Sequence, residues 1–482
     1  MAERRSYNNH KEGRERARGA VITARSVAYK LLLAVAQDDA YANLLLPKLL
    51  NESGLDSRDA GFAQEMAFGT IRNQLFYDGI IAKASGRDIA DVDSDVRVLL
   101  ELGAHQLLGM RVPSHAALSE TVNLAKSVLR PNLSGFVNGV LRRVSEKTRD
   151  EWLDVLLSEA KTDVAKLSIR YSHPEWVIRA IADSLKVDGR ADELESLLAV
   201  NNQPPLVSLV ALPGFSTVDD LIDAGAVFDG VSPIGAELPD GDPADIPEVR
   251  SGQIRVQDQG SQLAALALIN AETKTGAKSE DWLDLCAGPG GKAALLAASA
   301  KEAGAELVCN ELQPHRAKLV EQALSRVNPE VYVRTGDGRD LGDDAPGAFD
   351  RILLDAPCTG LGALRRRPES RYRKKQSDVA ELAKLQRELL VSAWKGLKVG
   401  GVLAYVTCSP HPAETTGIIS WAIKNYGEKL ELLDATAVLQ QLTPALKENA
   451  HMALTEGRKT VQLWPQRQVT DAMFISLLRK TA

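Results

Sequence analysis

Apolar residues in the first part of the chain recur every three to four positions, which is the spacing of one buried face of a helix. Leu31 and Val35 show this spacing near the start, and Leu99 and Leu102 repeat it further on. Short breaks of Gly, Pro and Asp separate the segments, and patterns typical of strands are scarce. The pattern predicts an all-α domain over residues 21–150.

A mixed pattern follows this helical region. Helical runs are predicted at 152–169 and about 174–200, and an Asn-Gln-Pro-Pro turn separates the second run from a strand-like piece at Leu206–Ala211. Turns containing Pro and Gly interrupt the rest. We interpret residues 151–255 as a small α+β connector.

From residue 256 to the C-terminus, short apolar strands alternate with amphipathic helices. The strands are predicted at Trp282–Cys286, Glu306–Asn310, Val331–Thr335, Arg351–Asp355 and Val402–Thr407, the helices at 292–303, 314–326 and 378–397, and a terminal hairpin at Thr460–Trp464 and Met473–Leu478. Repeated βα units predict an α/β, Rossmann-like domain with a parallel sheet. In such folds, ligands bind at the carboxyl ends of the strands.

Charge is distributed unevenly along the 482 residues. The chain has a formal net charge of −6, yet residues 1–25 sum to +4 and residues 365–375 sum to +6. Two basic segments on an acidic body favour local contact with phosphate groups. Residues 1–20 are too polar to bury a core, and we predict a disordered basic tail there.

The sequence indicates a reduced, non-membrane location. No apolar run approaches the length of a membrane span, and the N-terminus has no signal-peptide core, so we expect a cytoplasmic protein. Four cysteines occur in a chain without CxxC pairs, and we predict neither disulfides nor a metal site. The cysteines are Cys286, Cys309, Cys358 and Cys408.

A glycine-rich turn follows the first strand of the α/β domain. The segment DLCAGPGGK at 284–292 lacks the spacing of a dinucleotide fingerprint and of a P-loop. Glu311 ends the next predicted strand, where an acid can accept hydrogen bonds from ribose hydroxyls. Asp337 follows the third strand. A plain βα turn and a nucleoside-binding turn both fit these residues, and their combination favours the nucleoside.

Two cysteines follow two further strands of this domain. Cys358 comes three residues after Asp355, and Cys408 follows the strand that ends at Thr407. Side chains at such positions point toward ligands, whereas Cys309 lies inside its strand and is expected to be inert. The residues leave open which of the two thiols attacks a substrate.

These motifs resemble those of the Sun/RsmB and NSUN family of RNA cytosine-5 methyltransferases. The resemblance rests on DLCAGPGGK at 284–292, FDRILLDAPCTG at 349–360, VTCS at 406–409 and the lead-in 256–262. The helical region resembles the NusB fold through Arg72, 106–108, 112–113 and GFVNGVLRR at 135–143. The pairing of the two is similar to the bacterial subgroup that methylates small-subunit ribosomal RNA. It implies a NusB-like domain, an α+β connector and a class I methyltransferase domain.

The resemblance also implies the cofactor and its contacts. The cofactor is S-adenosylmethionine, with Glu311 at the ribose, Asp337 at the adenine and Asp355 at the floor of the site. The remaining implied contacts are Cys286, Ala287, Gly288, Pro289, Gly290, Gly291 and Lys292.

Catalytic and RNA-binding roles follow from the same resemblance. Cys408 is implied as the nucleophile that adds to C6 of the cytosine, Cys358 as the group that assists product release, and Asp355 as a partner of the cytosine edge. We expect RNA as the partner and a monomer as the oligomeric state. The residues predicted to hold the RNA backbone are Arg365, Arg366, Arg367, Arg371, Arg373, Lys374 and Lys375.

Three other functions fit parts of the sequence. A DNA cytosine-5 methyltransferase would use Cys358 as nucleophile and leaves the NusB-like domain unexplained. A non-catalytic ribosome-assembly factor would be expected to have lost a cysteine or the glycine turn. Amine methylation of adenine would need an Asn/Asp-Pro-Pro-Tyr/Phe element at 355–358, where this sequence has Asp-Ala-Pro-Cys. The chain also departs from the RNA family after Pro205 and at Asp471–Phe474.

Overall fold

The computed structural model describes residues 22–482. The predicted disordered tail at 1–20 lies outside these residues, as does the predicted boundary at residue 21. The chain forms two compact units. The first unit contains the chain up to Arg179 together with Arg366–Arg373, and the second contains Ala180–Arg365 and Lys374–Ala482.

The first unit is helical, which confirms the predicted all-α character. Its helices are α1 (Ala24–Gln37), α2 (Ala42–Ser53), α3 (Ser57–Arg72), α4 (Gln74–Ser85), α5 (Ser94–Leu108), α6 (Ser114–Val128), α7 (Leu133–Val144), α8 (Arg149–Glu159) and α9 (Asp163–Tyr171), and the division between the units falls within α10 (Glu175–Val187). The apolar stripes of α1, α3, α4 and α5 meet in one core that includes Leu31, Met66, Ile80 and Leu99.

The sequence predicted two continuous helices between residues 152 and 200. This prediction was wrong, because each of the two is divided into two helices in the structure. The first is split because Thr162 begins α9, with its hydroxyl accepting a hydrogen bond from the backbone N–H of Ala165 at 3.1 Å. The second is split at Gly189, whose φ of 73° is in the left-handed region and ends a helix.

The second unit contains the strands and, apart from one short helix at Ser370–Arg373, the remaining helices of the described residues. In chain order its elements begin with α11 (Leu194–Val200), β1 (Val207–Ala211), α12 (Val218–Asp223), β2 (Gly235–Leu238), α13 (Pro247–Ser251), β3 (Ile254–Val256), α14 (Gln259–Asn270), β4 (Asp281–Asp284), α15 (Gly291–Ala303), β5 (Glu306–Glu311), α16 (Pro314–Leu324), β6 (Tyr332–Thr335), α17 (Leu341–Asp344) and β7 (Phe349–Asp355). After β7 come α18 (Ser370–Arg373), which belongs to the helical unit, and then α19 (Asp378–Gly396), β8 (Leu397–Thr407), α20 (Thr416–Tyr426), β9 (Leu430–Leu433), α21 (Ala435–Leu442), α22 (Ala445–Glu448), β10 (Val461–Gln462), α23 (Pro465–Gln468) and β11 (Phe474–Lys480). Short 3-10 turns lie at Ile89–Asp91, Ala191–Glu193, Pro243–Asp245, Pro412–Glu414 and Gly427–Lys429.

Two sheets organise this unit. A small antiparallel sheet has the order β2-β1-β3, and the large sheet has the order β10-β11-β8-β7-β4-β5-β6, with β9 paired to β11. Strands β8, β7, β4, β5 and β6 are parallel, and β11 runs antiparallel to β8. The parallel α/β core and the terminal hairpin therefore agree with the sequence pattern.

Alternate residues of the central strands face opposite sides of the large sheet. Leu353 and Ala404 pack with α14 and α15 on one side, whereas Leu354 and Leu403 pack with α19 and α20 on the other. Because both faces are covered, these strands are nearly continuous runs of buried apolar residues. The polar groups of the sheet are concentrated at the strand ends.

Candidate active site

The strand order brings the predicted site residues to one edge of the large sheet. Parallel strands end on the same side, and β4 lies between β7 and β5, where the order in which successive strands are added to the sheet reverses. Asp355 is paired with Val406 across β7 and β8. Cys358 and Cys408 follow these two strands, whereas Glu311 and Asp337 follow β5 and β6.

The sulfurs of Cys358 and Cys408 are 3.5 Å apart, and both side chains are partly buried. The hydrogen bond to Cys408 and then burial raise the pKa of the Cys358 thiol well above its ordinary value. Because the two sulfurs are this close, a negative charge on one of them disfavours ionisation of the other. Such a pair supplies a nucleophile and a neighbouring proton donor.

A cation lies beside this thiol pair. The Lys292 ammonium donates a hydrogen bond to the Asp355 carboxylate at 2.8 Å. Burial would lower the pKa of Lys292, but Asp355 and then Cys408 favour the cation, and the net shift is upward. Lys292 is therefore positively charged at neutral pH, next to Asp355 and Cys408.

A fully buried carboxylate joins the segments that follow the two cysteines. Glu414, in the 3-10 turn after Cys408, has 0% of its surface exposed. One oxygen accepts hydrogen bonds from the Thr359 backbone N–H at 2.8 Å and from the Gln386 amide at 3.2 Å. The other accepts from the hydroxyls of Thr359 at 2.5 Å and Ser409 at 2.6 Å.

The loop after Cys358 also runs unusually close to its neighbours at Gly362. The Gly362 N–H donates to the Cys408 carbonyl, and its own carbonyl accepts from Ala472 N–H, both at 2.9 Å. A Cβ at this position would lie 2.2 Å from the Ala472 carbonyl oxygen and 2.8 Å from that of Cys408. Only glycine fits between these two backbones.

The glycine turn after β4 forms a cradle that includes Glu311. Gly290 has a φ of 108°, and this left-handed backbone begins α15 directly after the turn. The buried Glu311 carboxylate accepts hydrogen bonds from the N–H groups of Gly288 and Gln313, both at 3.0 Å. Arg316 donates to the Gly288 carbonyl at 2.5 Å.

Two further acids complete this part of the edge. The Arg339 guanidinium binds the Asp337 carboxylate at 2.6 Å and holds the pKa of Asp337 below its usual range. Burial, together with the nearby charge of Asp355, raises the pKa of Asp284 to about 8. A cradle of backbone N–H groups and acids suits a ligand with hydroxyl groups and positive charge, so the residues fit a nucleoside sulfonium cofactor.

Burial disfavours the thiolate forms of the other two cysteines. Burial raises the pKa of both Cys286 and Cys309 well above the ordinary value. Cys309 is fully buried inside β5, as its sequence position predicted. Cys286 lies past the end of β4, which stops at Asp284 rather than at the predicted Cys286.

Two arginines of the predicted RNA-binding segment are buried in the structure. Arg365 is buried and donates to the Val469 carbonyl at 2.9 Å. Arg371 is completely buried in the helical unit and donates to the carbonyls of Arg72 and Ser172. These guanidinium groups bind the protein backbone, which leaves them covered rather than available for phosphate.

The other five basic residues of that segment are at least partly exposed. Arg366, Arg367, Arg373 and Lys374 are partly buried, and Lys375 is exposed. Arg367 and Arg373 both lie over the ring of Tyr41 in the helical unit. Their role in RNA binding stays a prediction.

Sequence reasoning missed Glu414 and Gly362. A single acid six residues after Cys408 resembles an ordinary solvated side chain. The available signal was the pair of hydroxyls, Thr359 and Ser409, that directly follow the two cysteines and need a partner once buried.

Within residues 22–482, no helix is both long and apolar enough to cross a bilayer. Nor does this described part of the chain contain three or more His, Cys, Asp or Glu side chains grouped as metal ligands.

Comparisons with known proteins match both parts of the chain. Residues 273–479 match the family model described as 16S rRNA methyltransferase RsmB/F, and residues 22–146 match the NusB family. A putative methyltransferase of Mycobacterium tuberculosis is 44% identical over 95% of this chain and 96% of its own length. Ribosomal RNA small subunit methyltransferase B of Escherichia fergusonii is 33% identical over 81% of this chain and 88% of its own length.

A solved structure shares the fold. The structure of PH0851 covers 96% of this chain and 100% of its own, with a TM-score of 0.77 and 21% sequence identity.

Proposed function

Because the chain belongs to the RsmB/F family of 16S rRNA methyltransferases, we propose that it methylates carbon 5 of a cytosine in small-subunit ribosomal RNA through a covalent cysteine adduct. The chain is an S-adenosylmethionine-dependent RNA methyltransferase with an N-terminal NusB domain and a C-terminal methyltransferase domain. The choice of carbon 5, the covalent route and the residue roles are the proposal. A ribosomal RNA substrate also favours the predicted cytoplasmic location.

The cradle at the ends of β4, β5 and β6 is proposed to hold the cofactor. Glu311 would accept hydrogen bonds from the ribose hydroxyls, Asp337 would contact the adenine, and the Gly288–Gly291 backbone would approach the ligand closely. S-adenosylmethionine supplies the electrophilic methyl group that the activated carbon 5 accepts. Asp355 and Lys292 form the floor between this cradle and the thiol pair.

The thiol pair is proposed to activate the cytosine. The Cys408 thiolate adds to C6, and the electron pair displaced from the C5–C6 double bond makes C5 nucleophilic. After C5 has gained its methyl group, a base removes the C5 proton. The C5–C6 double bond re-forms as the bond between C6 and the Cys408 sulfur breaks, which returns the thiolate. Cys358 assists this release.

The 3.5 Å separation of the two sulfurs supports a joint role of the two thiols in one reaction. The hydrogen bond with Cys408 and burial raise the pKa of Cys358, which favours its protonated form beside Cys408. Lys292 places a positive charge near Cys408, which favours the thiolate there. These observations support Cys408 as the nucleophile and Cys358 as the assisting group.

RNA binding is proposed to use Arg366, Arg367, Arg373, Lys374 and Lys375. These residues follow the loop of Cys358 in sequence, and a phosphate contact from each would help to fix the strand while a base leaves its stack. Arg365 and Arg371 are left out of this set because both are covered.

A trapping assay tests the proposal. Wild type, Cys408→Ala and Cys358→Ala are incubated with labelled S-adenosylmethionine and unmodified small-subunit ribosomal RNA, and each is scored for 5-methylcytosine and for a protein–RNA adduct on a denaturing gel. We expect Cys408→Ala to lose methylation and Cys358→Ala to accumulate adduct. An inactive, adduct-free Cys358→Ala beside an active Cys408→Ala would instead identify Cys358 as the nucleophile, as in the DNA enzymes.

A further inference from the structure

The Glu414 carboxylate binds the residue that follows each cysteine of the thiol pair. Thr359 comes directly after Cys358, and Ser409 comes directly after Cys408. Both hydroxyls bond to the same Glu414 oxygen, and they lie 3.0 Å from each other. Two loops that are 50 residues apart in sequence therefore meet at one side chain.

Both oxygens of the buried Glu414 carboxylate accept hydrogen bonds. An isolated charge in the interior is costly, but each Glu414 oxygen here accepts two hydrogen bonds. Hydrogen bonds to an ionised acceptor are shorter and stronger than those between neutral groups. The arrangement is therefore rigid, and it fixes backbone next to both sulfurs.

Helix α19 extends the same network to the Pro-Cys turn. The Gln386 amide donates to the Pro357 carbonyl at 2.9 Å and to Glu414 at 3.2 Å. The Tyr405 hydroxyl donates to the Glu414 carbonyl at 2.7 Å. Residues on both sides of Cys358 are thus held by groups connected to Glu414.

We propose that Glu414 is a positioning residue that sets the distance and orientation between the Cys358 and Cys408 sulfurs. It acts through Thr359 and Ser409 and leaves the bond-making to the thiols. The inference rests on the proposed function in one respect only, which is that these two thiols carry the reaction.

The chemistry of the four donors predicts how substitutions rank. Glu414→Ala leaves a backbone N–H, an amide and two hydroxyls without their acceptor. Glu414→Gln keeps one oxygen for the Thr359 N–H and Gln386, and its NH₂ can donate to the two hydroxyls because a hydroxyl also accepts. The glutamine variant should therefore restore much of what the alanine variant loses.

The test combines kinetics with a direct probe of the sulfur pair. Glu414→Ala, Glu414→Gln and the control Asp350→Asn are compared with wild type for kcat, for KM toward RNA and S-adenosylmethionine, and for cofactor binding. Asp350 is also a fully buried carboxylate, but it lies at the opposite end of β7 and binds Lys398 and the Asp281 N–H.

The probe is formation of a Cys358–Cys408 disulfide by the oxidant diamide, with the linkage identified by mass spectrometry. The two thiols lose two protons and two electrons, and diamide takes them up as its hydrazine. The rate reports how often the sulfurs meet in bonding geometry, independently of any methyl transfer.

We expect Glu414→Ala to lower kcat by about 100-fold, as a misplacement near 1 Å does, with little change in cofactor binding. Its disulfide should form about 10-fold more slowly, because the loops are no longer tied together. Glu414→Gln should recover most of both losses, and Asp350→Asn should keep the kcat and disulfide rate of wild type.

Retention of wild-type kcat and disulfide rate by Glu414→Ala would overturn the proposal, and so would an equal loss in Asp350→Asn. If Glu414→Ala does not fold, Gln386→Ala takes its place, with a smaller loss of about 10-fold in kcat expected and an unchanged kcat overturning the inference. If Cys408→Ala stays active, the proposed function fails, whereas the disulfide rates still report on Glu414.

Discussion

The thiol end of the site, at β7 and β8, and the cofactor end, at β4 to β6, are held together by different forces. At the thiol end, buried hydrogen bonds and backbone contact at Gly362 leave little freedom. At the proposed cofactor end, the partly exposed Arg339 holds Asp337 by an ion pair, whereas Glu311 is buried and accepts hydrogen bonds from backbone N–H groups. Exposed ion pairs are weak and exchange with solvent, whereas close-packed backbone does not.

This difference matches the demands of the proposed reaction. A nucleophile must stay within a fraction of an ångström of its productive position, but a cofactor must enter and leave in every turnover. We therefore expect changes at the thiol end to lower kcat and changes at the cofactor end to raise the KM for S-adenosylmethionine.

The largest effect is expected for Gly362→Ala. The added Cβ would meet the Ala472 and Cys408 carbonyl oxygens at 2.2 and 2.8 Å, so the backbone next to Cys408 must move. We expect kcat to fall by about 100-fold and the free energy of unfolding to fall by about 1–3 kcal/mol. Cofactor affinity, measured by calorimetry, should be unchanged.

Gly396→Ala is the matched control, because its Cβ would meet neighbours at an ordinary 3.6 Å. A Gly362→Ala enzyme with the kcat of wild type would contradict the tight packing of the thiol end.

A smaller effect, on the KM for S-adenosylmethionine, is expected for Glu311→Ala. The change removes the carboxylate that holds the Gly288 N–H and that is proposed to bind ribose. Loss of a hydrogen bond to a charged group, about 1.5–3 kcal/mol, should raise the KM for S-adenosylmethionine by about 10- to 100-fold. The kcat at saturating cofactor should change little.

Glu306→Ala, at the exposed start of β5, serves as its control. If Glu311→Ala lowered kcat and left the KM for S-adenosylmethionine unchanged, the assignment of kcat effects to the thiol end and KM effects to the cofactor end would be wrong.

A gradual effect, of about 1 kcal/mol for each pH unit, is expected on stability at Asp284, which ends β4. Its pKa is about 8 in the folded protein and about 4 in the unfolded chain, so between these values the folded state binds more protons. Stability is therefore lost as pH rises through this window, by up to about 1.4 kcal/mol per pH unit.

We expect Asp284→Asn to lack this pH dependence. Urea unfolding of wild type and variant between pH 5 and 8 should show the variant gaining on wild type by about 1 kcal/mol per pH unit. A constant difference across the window would show that Asp284 is ionised in the folded protein.

Strand positions and the meeting of the two cysteines could be predicted, because parallel strands must end on one edge of their sheet. Asp355, Cys358 and Cys408 each follow an apolar run that is clear in the sequence. The turn that places Glu414 beneath both loops could not be predicted, since no local pattern encodes a contact between residues 55 positions apart. The burial of Arg371 also has no sequence signal, because arginine is usually exposed.

Because segment 366–373 belongs to the helical unit, folding of that unit depends on the order in which the chain is synthesised. The segment is completely part of the helical unit, yet Arg371 is 299 residues later in the chain than Arg72, whose carbonyl it binds. Contacts of such sequence separation close late, after local helices have formed. As the chain leaves the ribosome N-terminus first, the helical unit must wait for β4 to β7 to be translated before its last piece arrives. Completion of the helical unit thus signals that β4 to β7 have already been made, whereas β8, Cys408 and Glu414 have not.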